Sequence, residues 1–312
     1  MRQDGVPVVA FFSRALDSRP WTDGFARTMP EAELRIYPDL GDLAEVDVLC
    51  AFRPPEGLVA SLPKLKLFQV LGAGTDHLSG DTTIPRGVPM ARLVDESTMR
   101  LMGDYVLAAV LRHHRELDHF GRMQKEHVWK RREPRMTGDK AVGVLGLGLL
   151  GAAVASRLKE NGFRMRAWTK SQSSGPEDVE LFSGNERLGA FFDGLDGVVC
   201  LLPLVPETFG MLNRERLLRM NPGAFLVNAG RGQHVREADL RELLDSGHLS
   251  GATLDVVDPE PPAAESWLWD HPKIFLTPHV ATLPRAETAV GFVAENIRRV
   301  LSGARPKLEV AR

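Results

Sequence analysis

From residue 141 the chain reads Ala141-Val142-Gly143-Val144-Leu145-Gly146-Leu147-Gly148-Leu149-Leu150-Gly151, and alanines follow at 152, 153 and 155. An apolar run with the character of a strand thus ends in glycines spaced G-x-G-x-x-G, and a helical stretch begins at once. Each glycine meets a different steric demand. Gly146 permits the tight turn, Gly148 lets a pyrophosphate come close to the backbone, and Gly151 lets the helix pack on the strand. The amides at the helix start, those of Leu149 and Leu150 among them, then favour negative charge together with the helix dipole. Another strand-like run, Arg164–Trp168, follows the helix, so the triplet sits inside a β-α-β unit and reads as a dinucleotide cradle.

The same alternation of short apolar runs with longer amphipathic stretches extends over the whole chain, which predicts an α/β fold with parallel sheets covered by helices. Val8–Phe12, Leu34–Tyr37, Val46–Ala51 and Leu67–Leu71 read as an early set of strands. Ala141–Leu145, Arg164–Trp168, Gly197–Leu202, Ala224–Asn228, Gly251–Val256 and Ile274–Leu276 read as a later one. From Ser97 to about Glu126 no proline occurs and Leu101, Tyr105, Ala108 and Leu111 recur at helical spacing, predicting one long helix. His127–Lys140 is basic and irregular and reads as a connecting arm. Arg285–Leu301 is helical again, with Val290, Val293 and Ile297 on one face. At 312 residues the chain suits two domains better than one core.

Composition narrows the function classes. The formal net charge is −2, so no global field draws the chain to nucleic acid or to an anionic membrane. The one basic run, Lys130, Arg131, Arg132 and Arg135, has no aromatic platform beside it and reads as a solvated arm. No apolar stretch is long enough to span a bilayer and no signal peptide is apparent at the N-terminus. Cys50 and Cys200 each end an apolar run, as buried small hydrophobes do, and two thiols make no disulfide scaffold. A cytoplasmic location is expected. His113, His114 and His119 do not share one helix face and no carboxylate or cysteine motif joins them, so no metal site is expected.

The end of the strand after the glycines bears on cofactor choice. An NAD site usually places a carboxylate there, but the run is Trp168-Thr169-Lys170-Ser171 and no acid occurs before Glu177. Thr169, Lys170 and Ser171 suit a ribose 2′-phosphate, which predicts NADPH (NADP) in preference to NADH (NAD). The other reading is a tolerant site in which Lys170 is a surface lysine.

Three further segments carry uncommon chemistry at the ends of expected strands. They are Val227-Asn228-Ala229-Gly230-Arg231-Gly232, Leu254-Asp255-Val256-Val257-Asp258-Pro259-Glu260-Pro261 and Thr277-Pro278-His279-Val280-Ala281. In this order downstream of the glycine triplet, the chain resembles the D-isomer-specific 2-hydroxyacid dehydrogenases, and within them the glyoxylate/hydroxypyruvate reductases. Leu71-Gly72-Ala73-Gly74-Thr75-Asp76 and Leu202-Pro203-Leu204-Val205-Pro206-Glu207-Thr208 extend the resemblance over nearly the whole chain. It implies two doubly wound domains, a Rossmann cofactor domain (97–283) inserted into a flavodoxin-like substrate domain (1–96 and 284–312), and a homodimer.

The resemblance also implies roles. His279 would give a proton to the carbonyl oxygen of a small 2-oxo acid, and Glu260 would orient it and favour its charged form. Arg231 would bind the substrate carboxylate and carbonyl, a planar fork matching a planar anion. The amides of Ala73 and Gly74 would add carboxylate donors from the other domain, with the substrate in the cleft between them. Asn228, Ala229 and Asp255 would flank the nicotinamide, and Leu202, Pro203 and Thr208 would line the cofactor channel. Phe52-Arg53 admits two readings, a wall and second cation for a short substrate, or a core side chain with a solvated arginine. Trp129 would reach toward a partner's site. Competing functions are a dehydrogenase for a bulkier 2-hydroxy acid and a non-catalytic NAD(P)-sensing protein of the same fold.

Overall fold

The computed structural model describes residues 6–78, 80–171 and 174–311. The chain divides into two compact units, Met1–Thr98 with Leu283–Arg312, and Met99–Thr282.

In the first unit, β1 (Val8–Ser13), β2 (Glu33–Ile36), β3 (Val48–Phe52), β4 (Leu67–Val70) and β5 (Met90–Ala91) form an all-parallel sheet in the order β2-β1-β3-β4-β5. This is the flavodoxin-like arrangement. The central strands are apolar on both faces because helices cover both. One cover is α1 (Ser18–Thr28), capped by Asp17, whose carboxylate accepts from the Arg19 amide; Trp21 and Phe25 go into the core.

α2 (Glu96–His114) starts in the last residues of the first unit's opening segment and runs on into the second unit, where α3 (Leu117–Lys125) follows. The single helix expected over 97–126 is thus two, because Glu116 takes a left-handed conformation (φ +52°) between them. The arm after α3 has a single 3-10 turn and leaves Trp129 97% exposed. Then follow β6 (Ala141–Leu145), α4 (Leu149–Glu160), β7 (Arg164–Thr169), β8 (Val179–Ser183), α5 (Leu188–Phe192), β9 (Gly197–Cys200) and α6 (Arg214–Leu217). β10 (Ala224–Asn228), α7 (Glu237–Asp245), β11 (Leu249–Leu254) and β12 (Ile274–Leu276) complete it. The seven strands are parallel in the order β12-β11-β10-β9-β6-β7-β8. Chain direction across the sheet reverses between β6 and β9, the switch point of a Rossmann sheet, and ligands bind at the carboxyl ends of strands there.

The last helix, α8 (Ala286–Leu301), belongs to the first unit and buries Ala289, Val290, Val293 and Ile297 against Phe11, Trp21, Phe25 and Leu71. Asn296 on this helix is buried, yet its amide is satisfied by Gln69 of β4 (2.9 Å) and by the backbone of Lys307.

The histidines of α2 are packed rather than solvated. The His113 ring stacks on Phe225 at 4.9 Å, its Nε2 lies 3.0 Å from the Thr253 hydroxyl, and burial pushes its pKa down to about 4. Among the described residues no group of three or more His, Cys, Asp or Glu is placed to hold a metal ion, and no helix is long and apolar enough to cross a membrane. Cys50 and Cys200 are buried free thiols.

Candidate active site

Because all seven strands of the second unit are parallel, the segments after β6, β9, β10, β11 and β12 gather at one edge of the sheet. At the first of these, Gly146 has φ +96° and Gly148 is the N-cap of α4 with no side-chain cap above it. A Cβ on Gly151 would sit 1.8 Å from the Gly146 carbonyl oxygen, whereas one on Gly148 would meet nothing within 4 Å. Contact is tight where helix meets turn, and open where the helix-start amides of Leu149 and Leu150 are presented. That shape, with uncapped amides at its floor, fits a dinucleotide pyrophosphate.

At the end of β7, Thr169 is buried and Lys170 and Ser171 are exposed. The Lys170 ammonium lies 3.0 Å from the Glu207 carboxylate, both side chains more than half exposed. Glu207 belongs to the loop after β9, in which Pro203 is exposed and Leu202 buried. Thr208, expected along the cofactor channel, comes next in this loop. It is buried, its hydroxyl donates to the Pro203 carbonyl (2.8 Å) and accepts from the Val205 amide (2.9 Å), so it closes the loop on itself.

After β10 the chain turns through Ala229 and Gly230 to Arg231. Asn228, expected beside the nicotinamide, is fully buried and builds this turn: its Nδ2 donates to the Arg231 carbonyl (2.8 Å) and its Oδ1 accepts from the Gly230 amide (3.2 Å). His234, for which the sequence held no signal, accepts from the Arg231 amide at Nδ1 (3.1 Å). Its other nitrogen therefore carries the proton and faces the Pro203 carbonyl at 3.3 Å, tying the Arg231 turn to the loop after β9. Gly232 lets that turn lie on the next segment, since a Cβ there would fall 2.1 Å from the Val257 carbonyl carbon.

Beyond β12, His279 Nδ1 lies 3.0 Å from Glu260 Oε2, with about a third of each side chain exposed (35% and 28%). A carboxylate at this distance fixes the tautomer with hydrogen on Nδ1 or holds the imidazolium, and leaves Nε2 for a reacting group. Asp255 follows directly on β11. It is 2% exposed, and its carboxylate accepts from the Thr277 hydroxyl (2.7 Å) and from the amides of Val280 (2.8 Å) and Ala281 (2.9 Å). It holds the His279 loop.

The remaining candidates lie in the first unit and share the carboxyl edge of its sheet. Phe52, the last residue of β3, is half-buried; a Cβ on Gly72, after β4, would come within 3.1 Å of its ring, and the His77 ring lies 5.4 Å away. Arg53 is exposed with its guanidinium 5.5 Å from the Phe52 ring. Ala73 and Gly74 follow in the same half-buried loop.

Comparison with known proteins matches this architecture. Residues 107–281 fit the family described as D-isomer specific 2-hydroxyacid dehydrogenase, NAD binding domain. Glyoxylate/hydroxypyruvate reductase A of Serratia proteamaculans is 34% identical over 303 residues, 96% of either chain. A D-isomer specific 2-hydroxyacid dehydrogenase from Xanthobacter autotrophicus, solved in complex with NADPH and MES, gives a TM-score of 0.94 at 38% identity and covers 98% of both chains. The NADPH-dependent glyoxylate/hydroxypyruvate reductase of Sinorhizobium meliloti, in complex with NADP and sulfate, gives 0.90 at 31% identity, over 97% of this chain and 98% of that one. The fold and the site therefore define an NAD(P)-dependent oxidoreductase. The chain belongs to the D-isomer-specific 2-hydroxyacid dehydrogenase family, and it is similar throughout its length to the glyoxylate/hydroxypyruvate reductases.

Proposed function

We propose that this protein reduces a small 2-oxo acid such as glyoxylate or hydroxypyruvate to the D-2-hydroxy acid with NADPH. The observation that carries the proposal is the 3.0 Å pair of His279 and Glu260, placed at the same sheet edge as the glycine cradle. Bound at Gly146–Gly151, the reduced nicotinamide cofactor supplies the hydride. His279 gives a proton from Nε2 to the carbonyl oxygen as negative charge develops there, and Glu260 accepts from Nδ1 and stabilises the imidazolium. Arg231 binds the substrate carboxylate through its guanidinium and polarises the carbonyl. Its turn is held from two sides, by Asn228 and by His234.

Preference for NADPH is supported by Lys170 and Ser171 at the end of β7, where an acid would repel the 2′-phosphate. The Glu207 pair does not oppose it, because an exposed ion pair is weak and a phosphate dianion can take its place.

The test is oxidation of NADPH and of NADH by the purified protein with glyoxylate and hydroxypyruvate. Turnover with NADPH and its loss by about 10²–10⁴-fold in His279→Ala are expected. Full activity of that variant would remove His279 as the acid, and no turnover with either substrate would favour a bulkier acid or a sensing role.

A further inference from the structure

His279 has φ +54°, the left-handed region that residues with side chains seldom occupy. Such a conformation persists where its surroundings over-determine it. Here the His279 amide is shared with the Thr277 carbonyl (3.0 Å) and the ring meets Glu260, while Asp255 makes the other contacts of the turn. Its carbonyl accepts from the His279 amide (2.9 Å), one carboxylate oxygen from the Val280 amide and the Thr277 hydroxyl, and the other from the Ala281 amide. The Thr277 hydroxyl has one proton, and that proton goes to Asp255. Yet the same hydroxyl oxygen lies 2.6 Å from the phenol oxygen of Tyr105, so Tyr105 must be the donor in that contact. Burial pushes the Tyr105 pKa up to about 12, and the phenol keeps its proton over any practical assay range. Tyr105 stands in the middle of α2, 172 residues before Thr277, and belongs to none of the motifs that mark the site.

We infer that Tyr105 is a positioning residue for the proton-transfer step. Its O–H ends a directed chain, Tyr105 to Thr277 to Asp255, that holds the strained turn of His279 in one conformation. Without the phenol the Thr277 hydroxyl loses the donor that Tyr105 supplies and can rotate away from Asp255, which then keeps two backbone amides but not the side chain that orients it. The turn relaxes toward ordinary φ, and His279 Nε2 spends less time where the carbonyl oxygen is protonated. Cofactor binding at the glycine cradle does not depend on this chain. The effect therefore falls on kcat and not on the KM for NADPH. The inference rests on the proposed role of His279 as the acid.

The experiment compares Tyr105→Phe, Thr277→Val, Thr277→Ser and His279→Ala in NADPH-dependent glyoxylate reduction. Hydrogen exchange of the Val280 and Ala281 amides is measured alongside. Tyr105→Phe is expected to lower kcat by about tenfold, the scale of a small misplacement of a reacting group, with KM for NADPH unchanged. The two amides exchange faster in that variant. Thr277→Val shows the same pattern, Thr277→Ser retains activity because it keeps the hydroxyl, and the double variant Tyr105→Phe/Thr277→Val is no worse than Thr277→Val alone. Wild-type kcat or wild-type exchange in Tyr105→Phe, with His279→Ala inactive, overturns the relay and leaves the acid assignment standing. A fully active His279→Ala overturns both. A rise in KM for NADPH that accounts for the whole loss also overturns the relay, since it assigns Tyr105 to general folding.

Discussion

Replacing Asp255 by asparagine separates the role the structure assigns to it from the one its motif suggested. The carboxylate accepts three hydrogen bonds, two on one oxygen and one on the other, all between 2.7 and 2.9 Å. Asparagine has the same shape but one acceptor oxygen. In its better orientation it keeps Thr277 and Val280 and turns an NH2 group toward the Ala281 amide, donor against donor. An unsatisfied buried donor costs about 1–3 kcal/mol, and two charge-assisted bonds become neutral ones at somewhat under 1 kcal/mol each, so the total is about 2–4 kcal/mol. At about 2–4 °C per kcal/mol for a unit of this size, Tm should fall by about 4–16 °C in differential scanning calorimetry. The strained His279 turn loses part of its restraint, so kcat with glyoxylate falls by about tenfold or more. The KM for NADPH should not change, because the carboxylate faces the loop. An unchanged Tm together with a large rise in KM for NADPH would refute this reasoning and return Asp255 to the nicotinamide.

Two glycines of the cradle should separate folding from binding: Gly151→Ala, whose methyl meets a carbonyl oxygen, lowers Tm, while Gly148→Ala, whose methyl enters open space, leaves Tm intact and raises KM for the cofactor. Lys170→Ala should raise the KM for NADPH by about tenfold or more and leave that for NADH alone, whereas Glu207→Gln should lower the KM for NADPH a few-fold; equal effects on both cofactors would show that the 2′-phosphate does not bind there. Burial depresses the His113 pKa to about 4, below its unfolded value of about 6.5, so the stabilisation is complete above pH 6.5 and is lost as pH falls through 4. Chemical denaturation between pH 7 and pH 4 should therefore lose about 3 kcal/mol more in the wild type than in His113→Gln, and equal slopes would show that His113 is not buried in neutral form.

Much of the architecture was legible because it follows from local periodicity. Central strands such as Val8–Ser13 and Ala141–Leu145 are apolar on both faces, and no other element fits so short a run. The strands the sequence did not reveal are at the sheet edges. β8 buries only Phe182 and β5 is two residues long, so neither has a hydrophobic run to betray it. The break between α2 and α3 was equally silent, since it depends on the backbone of Glu116, a residue with no preference for a left-handed turn.

At the site, the sequence alone determined which groups are present: the G-x-G-x-x-G triplet, Lys170 where an acid is usual, and Arg231, Glu260 and His279 at three strand ends. Steric and chemical constraints there are local or act through short motifs. Only the tertiary structure decided what the polar residues between them face. Asp255, Asn228 and Thr208 sit in the same motifs as the reacting groups, and a motif records a donor or acceptor without saying which neighbour satisfies it. In the fold each is turned inward, where a buried polar atom must find a protein partner, and each holds a turn that presents another residue. Tyr105 shows the other side of this. Its partner is 172 residues away, and only the packing of α2 beside β12 brings the two hydroxyls within 2.6 Å.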